Sequence, residues 1–144
     1  DGVLNYFTSR AYYETDFKHK NPKVSKDIVG YDLFINWREP IVLVEGSFDA
    51  IAVGDNAIPI FGKIIGQNLK KKIIEKSVKD LFIILDQDAK DRALQHVKYF
   101  MVNVYFVNLP DKDPSELGKE KIRALMNSTN KMTFGKLMEY KLYE

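Results

Sequence analysis

Two short, wholly apolar runs that end in acid set what this chain can fold into. Ile41-Val42-Leu43-Val44 runs into Glu45-Gly46, and Leu81-Phe82-Ile83-Ile84-Leu85 runs into Asp86-Gln87-Asp88. A run with no polar alternation has no face to give to water. It must be covered on both sides, as a strand inside a parallel sheet is. Open sheets of that kind hold their ligands at the C-terminal ends of the strands. Two such strands side by side would bring Glu45, Asp86 and Asp88 to one edge. Gly46 allows a tight turn there. Asp49-Ala50-Ile51-Ala52-Val53 continues at helical spacing, which puts Glu45 on a strand-to-helix loop.

The rest of the chain repeats this alternation. Strands are expected at 41–44, 56–61, 81–85 and 102–109, with helices at about 47–53, 66–74 and 89–100. Leu69, Ile73 and Ile74 are expected on one face of the second helix, and Ala93, Leu94, Val97 and Phe100 face inward on the third. Ile28–Trp37 reads as a turn and a helical piece, broken by Arg38-Glu39-Pro40. Residues 118–144 read as helical ends, with Ile122, Leu125 and Met126 in one run and Phe134, Leu137, Met138 and Leu142 in another. Pro59 suits an edge or the first residues of a strand. The pattern predicts α/β architecture: a parallel, Rossmann-like sheet of about four strands flanked by helices.

A third acidic strand end follows at Pro110-Asp111-Lys112-Asp113-Pro114-Ser115-Glu116. Asp113 can cap the helix that begins there, with Pro114 at its first position. Carboxylates converging from three strand ends make an oxygen-only pocket that suits Mg²⁺ or Mn²⁺. The ordinary alternative is a set of strands that end in solvated acids.

Composition narrows the chemistry. At 144 residues, with 45% hydrophobic and 12% aromatic content, the chain is long enough for one domain with a real core. No apolar run reaches membrane-spanning length and no signal peptide is visible. Cysteine is absent, which excludes disulfides and cysteine-ligated zinc, and His19 and His96 are too few for a zinc site. Neither Gly-x-x-x-x-Gly-Lys-Ser/Thr nor Gly-x-Gly-x-x-Gly occurs, and there is no nucleophile elbow. Metal-assisted phosphoryl chemistry remains.

The net charge of +2 does not by itself announce a nucleic-acid binder, but its distribution is uneven. Arg10, Lys18, Lys20, Lys23 and Lys26 gather among Tyr6, Phe7, Tyr12, Tyr13 and Phe17, and Lys70, Lys71 and Lys72 form a second cluster. Interleaved aromatics and cations can stack bases and contact phosphates. They can equally cap the edge of a core with a solvated rim. Lys18, Lys20 and Lys23 are the candidates for phosphate contact, together with Lys63 on the strand-end face. The chain begins at Asp1, and a segment of a longer protein is expected.

On these residues the chain resembles a known family. A strand ending in Glu45-Gly46, about 40 residues of β/α, and a strand ending in Asp86-Gln87-Asp88 look like the Toprim domain. That domain is shared by bacterial-type DNA primases, type IA and type II topoisomerases, and some nucleases and recombination proteins. The form Glu45-Gly46-Ser47-Phe48-Asp49-Ala50-Ile51 is closest to the primase version. The resemblance spans residues 40–118. It makes 41–118 a Toprim catalytic domain, 1–40 the tail of an adjoining basic subdomain, and 119–144 a C-terminal helical extension.

The resemblance implies an activity as well: template-directed synthesis of short RNA primers on single-stranded DNA from nucleoside triphosphates. It gives Glu45 the proton-transfer role. Asp86, Asp88 and Asp113 become ligands of a two-metal Mg²⁺ or Mn²⁺ site, with Asp49, one helical turn after Glu45, a further ligand. A replicative helicase partner and a cytoplasmic setting, in a bacterial cell or a phage-infected host, follow from the same resemblance. Two departures stand out. Primases read roughly Leu-Pro-x-x-x-Asp-Pro-Asp where this chain has Ser115, with Glu116 next door. They also carry a glycine soon after the second Asp, where this chain has Ala89-Lys90-Asp91. Such drift points towards a bacteriophage or mobile-element form. The rivals are a Toprim nuclease or topoisomerase-type cleavage module, and a non-catalytic Mg²⁺-holding module that binds DNA or a replication partner.

Overall fold

A computed structural model describes residues 4–17, 19–62, 64–85, 102–110, 113–133 and 135–136. A two-stranded antiparallel hairpin comes first, β1 (Ser9–Arg10) against β2 (His19–Lys20). A single 3-10 turn, Asp32–Phe34, leads into β3 (Ile41–Val44) and α1 (Ser47–Val53). Then come β4 (Ala57–Pro59), α2 (Gln67–Glu75), β5 (Asp80–Ile84) and β6 (Asn103–Phe106). A short helix α3 (Pro114–Leu117) and a longer one α4 (Lys119–Ser128) follow. Strands β3 to β6 form one parallel sheet in the order β4-β3-β5-β6.

The unbroken apolar runs are explained by two cores, one on each face of the sheet. Ile41, Leu43, Leu81 and Ile83 point to the face covered by Leu69 and Ile73 of α2. Val42, Val44 and Ile84 point to the other face, against Ala50 and Val53 of α1 and Ile122 of α4. Successive strand residues face opposite sides, so a strand covered on both must be apolar throughout. All four residues of β3 are buried.

Several boundaries differ from the sequence pattern. The second parallel strand is three residues long rather than 56–61. Asn56 and Phe61 both have left-handed backbone, at φ 58° and φ 55°, and these bends end the regular run. The fourth is Asn103–Phe106 rather than 102–109. The helical piece expected within 28–37 is only the 3-10 turn. Ile74 was expected on the inner face of α2, yet it is 59% exposed while Ile73 is 1% exposed. One helical step of about 100° carries Ile74 off the stripe that Leu69 and Ile73 form. The expected helix 89–100 and the second C-terminal apolar run lie outside the described residues.

The lead-in segment and the C-terminal part both tie onto the sheet layer. Asp27 Oδ1 accepts the Asn68 backbone N–H at 2.9 Å, so a carboxylate from outside closes the first turn of α2. The Asn56 side chain bonds the backbone of Asn36 in both directions and reaches Pro40 O at 3.3 Å. At the far edge, Met132 N–H donates to Val104 O at 2.8 Å, and Lys131 bridges antiparallel to Tyr105. Those bonds blunt the open side of β6.

Candidate functional site at the C-terminal edge of the sheet

β3 and β5 are neighbours whose last residues, Val44 and Ile84, are in register. The two strands therefore end side by side at one edge of the sheet. After β3 comes Glu45, partly buried on the loop into α1. Its backbone is held from the other side, where Phe61 N–H donates to Glu45 O at 3.0 Å. This bond extends the β3–β4 ladder one residue past the strands and anchors the loop at the sheet edge.

Gly46 does not make the left-handed turn that its type allows, because its backbone is extended at φ −126°, ψ 171°. Its value lies in close approach. A Cβ there would stand 3.3 Å from Asp49 Oδ2, which accepts the Gly46 N–H at 3.0 Å. Asp49 thus closes the first turn of α1 and is brought beside Glu45 by the same turn.

The hairpin docks on this turn. Thr8 Oγ1 donates to Ser47 Oγ at 3.1 Å, and the Arg10 guanidinium lies 5.8 Å from the centroid of the Phe48 ring. Tyr31 Oη donates to Ser47 O at 3.4 Å, and the Tyr6 and Phe61 rings meet at 4.8 Å. Tyr31 and Phe61 both hold left-handed backbone, at φ 60° and φ 55°, unusual for bulky side chains and typical of over-determined local packing. Between these segments lies a cleft of about 820 Å³, lined in part by Tyr6, Phe7, Tyr31, Ser47 and Phe61. The sequence offered no local signal for this cleft. Thr8 and Ser47 are 39 positions apart.

Asp113 lies in the position before α3, with Pro114 as the helix's first residue, as the sequence pattern predicts. Its side chain makes no capping bond. Its backbone carbonyl accepts Glu116 N–H at 2.9 Å and Leu117 N–H at 3.3 Å instead. α3 packs on α1, so the third acidic strand end belongs to the α1 side of the sheet. Lys20 and Lys23 are exposed, on β2 and just after it. Asp86, Asp88, Lys18 and Lys63 lie outside the described residues.

Glu45 and Asp49 offer only carboxylate oxygen, the donor type of a hard divalent cation. The donor set fits Mg²⁺ or Mn²⁺ in kind. Among the described residues no group of three or more His, Asp or Glu completes such a site.

The lysine cluster on α2 is largely structural. Lys72 Nζ lies 2.7 Å from Asp32 Oδ2 and 5.8 Å from the Trp37 ring centroid, and Lys71 pairs with Glu75 at 3.7 Å. Lys119, hydrogen-bonded at 3.1 Å, and Arg123 hold the Asp55 carboxyl below its ordinary range. Burial, and next the neighbouring Asp80 carboxylate, push Tyr105 up.

A four-stranded parallel sheet with helices on both faces matches the Toprim-type fold of primase cores. Two solved structures share it across nearly the whole chain: the DnaG catalytic core and the DnaG primase catalytic domain bound to ssDNA. Their TM-scores are 0.68 and 0.67, each at 19% sequence identity over 96% of this chain. The chain spans about half the length of these structures, 51% and 50% respectively. No protein-family profile matches the sequence, and no curated protein matches it. Among the described residues, no helix is long and apolar enough to cross a membrane.

Proposed function

We propose that this chain is the metal-dependent catalytic part of a DNA primase, which joins nucleoside triphosphates into short RNA on a single-stranded DNA template. The observation that carries this reading is the agreement of fold with primase catalytic cores over 96% of the chain, with Glu45 on the loop after the central strand β3. That one neighbour is bound to ssDNA supports a single strand as the partner here.

Asp86, Asp88 and Asp113 are the residues that would hold Mg²⁺ or Mn²⁺, with Asp49 beside them. Once bound, the ions would neutralise the triphosphate and ease departure of pyrophosphate. Glu45 takes the proton of the attacking 3′-hydroxyl. The oxygen then forms its bond to the α-phosphorus as the bond to the β-phosphate bridge breaks and pyrophosphate leaves. Asp49 and the Phe61 N–H keep the Glu45 loop in place, so the carboxylate meets the hydroxyl without reordering. Lys18, Lys20, Lys23 and Lys63 contact phosphates. After Pro114 this chain has Ser115, with Glu116 next to it in the first turn of α3. A replicative helicase partner and a cytoplasmic setting belong to the same reading.

The test supplies single-stranded DNA, labelled ribonucleotides and Mg²⁺ or Mn²⁺ to the chain, and to any longer polypeptide that carries it. The expected result is short labelled RNA, abolished by Glu45→Gln and by Asp86→Asn with the fold retained by circular dichroism. Cleavage of the DNA without synthesis would replace the primase with a nuclease. Metal binding with neither reaction would leave a non-catalytic DNA- or replisome-binding module.

A further inference from the structure

The loop of the N-terminal hairpin carries three aromatic rings that the fold does not use. Tyr12 is 97% exposed, Phe17 84% and Tyr13 65%. Tyr12 and Tyr13 meet edge to face at 5.3 Å, and each keeps a face to solvent. The loop joins two strands pinned by Ser9–Lys20 and Arg10–His19 pairing, and the Ser9 hydroxyl donates to Lys20 O at 2.6 Å. Phe17 N–H bonds Thr15 Oγ1 at 3.3 Å, which shapes the stretch that presents the Phe17 ring. These rings stand largely in water, and exposed aromatics gathered on one loop offer a binding surface.

The charge around them says what kind of partner fits. Residues 9–26 hold five cations, Arg10, Lys18, Lys20, Lys23 and Lys26, against Glu14 and Asp16. That local surplus exceeds the +2 of the whole chain. Rings set among cations match a flexible polyanion with flat, stackable groups, which is a single-stranded nucleic acid. A duplex hides its base faces, whereas a single strand offers a phosphate and a stackable base at every step. The hairpin is also tied to the candidate site, because its base docks on Ser47 and Phe48, directly after Glu45 and Gly46.

We infer that the loop 11–17 is a stacking platform that holds bases of a single strand on Tyr12, Tyr13 and Phe17 beside the strand-end site. The inference rests on the primase reading for that strand being the template, and on the rings and charge for its being a single strand. Arg10, Lys20 and Lys23 hold its phosphates.

The test titrates the chain with a fluorescein-labelled oligothymidylate across a salt series, and with an oligonucleotide carrying 2-aminopurine. Tyr12→Ala and Phe17→Ala are each expected to weaken binding by roughly fivefold or more, with the salt slope unchanged. They are also expected to relieve the quenching of 2-aminopurine. Tyr12→Phe and Phe17→Tyr keep both. Lys20→Ala and Lys23→Ala flatten the salt slope instead. Unchanged affinity and quenching in the alanine variants would overturn the platform. So would an equal loss of affinity for duplex DNA. Glu45→Gln separates the two ideas. Binding intact with no synthesis from any form would sink the primase reading and keep the platform. Synthesis unaltered by Tyr12→Ala and Phe17→Ala at limiting template would do the reverse.

Discussion

Gly30 is buried against the end of β4, and its missing side chain is a packing requirement. A Cβ there would stand 2.7 Å from Pro59 Cγ and 3.0 Å from Phe61 Cε2. Gly30→Ala is therefore expected to cost about 1–3 kcal/mol, read as a lower melting temperature. An unchanged melt would mean that the Pro59 ring moves aside. Asp55 makes a different prediction. Lys119 and Arg123 lower its folded pKa, so the stabilisation it contributes is present above the unfolded value and fades as pH falls through the folded one. Asp55→Asn should melt below the wild type at neutral pH, and the gap should close in strong acid. The carboxylate is exposed and its pairs are screened, so the gap is small. High salt should narrow it as well.

At the scale of elements, α2 shows how a helix chooses its face. Leu69 and Ile73 lie four residues apart and both reach the sheet, while Ile74, one step on, faces water. Ile73→Ala is expected to cost about 2–5 kcal/mol, whereas Ile74→Ala should stay within about 0.5 kcal/mol. Chemical denaturation of the two variants measures the contrast directly, and equal losses would refute the assigned face. The apolar runs of β3 and β5 were legible in the sequence because burial on both faces leaves a simple signature. The acid at the end of β3 was legible for the same reason: the run stops where the chain leaves the core. Ile74 was misplaced because three apolar residues near one another look alike until a partner surface selects two of them. The hairpin β1–β2 left no alternation to read, since each strand is only two residues long.

At the scale of the whole molecule, the hairpin is joined to the sheet layer through side chains rather than through the sheet's own strand ladder. Thr8 to Ser47, Arg10 over Phe48, and Tyr6 against Phe61 are among the side-chain contacts that hold the hairpin side to the start of α1 and the end of β4. Such a joint opens at a lower free energy than the doubly covered sheet. The pair of changes Thr8→Val and Arg10→Ala should speed proteolytic cleavage within 11–17 several-fold, with the main thermal transition nearly unmoved. Equal cleavage rates would show that the hairpin is held by other contacts. The sequence by itself determined the alternation of strand and helix, because hydrophobic burial acts residue by residue along the chain and leaves its period in the order of residues. Only the tertiary structure decided which strand ends stand together, which face of α2 is inside, and that an aromatic hairpin sits against the Glu45 loop. Each of those depends on free-energy differences between surfaces far apart in the chain, such as the 39 positions between Thr8 and Ser47, and no local pattern of residues encodes a pairing at that range.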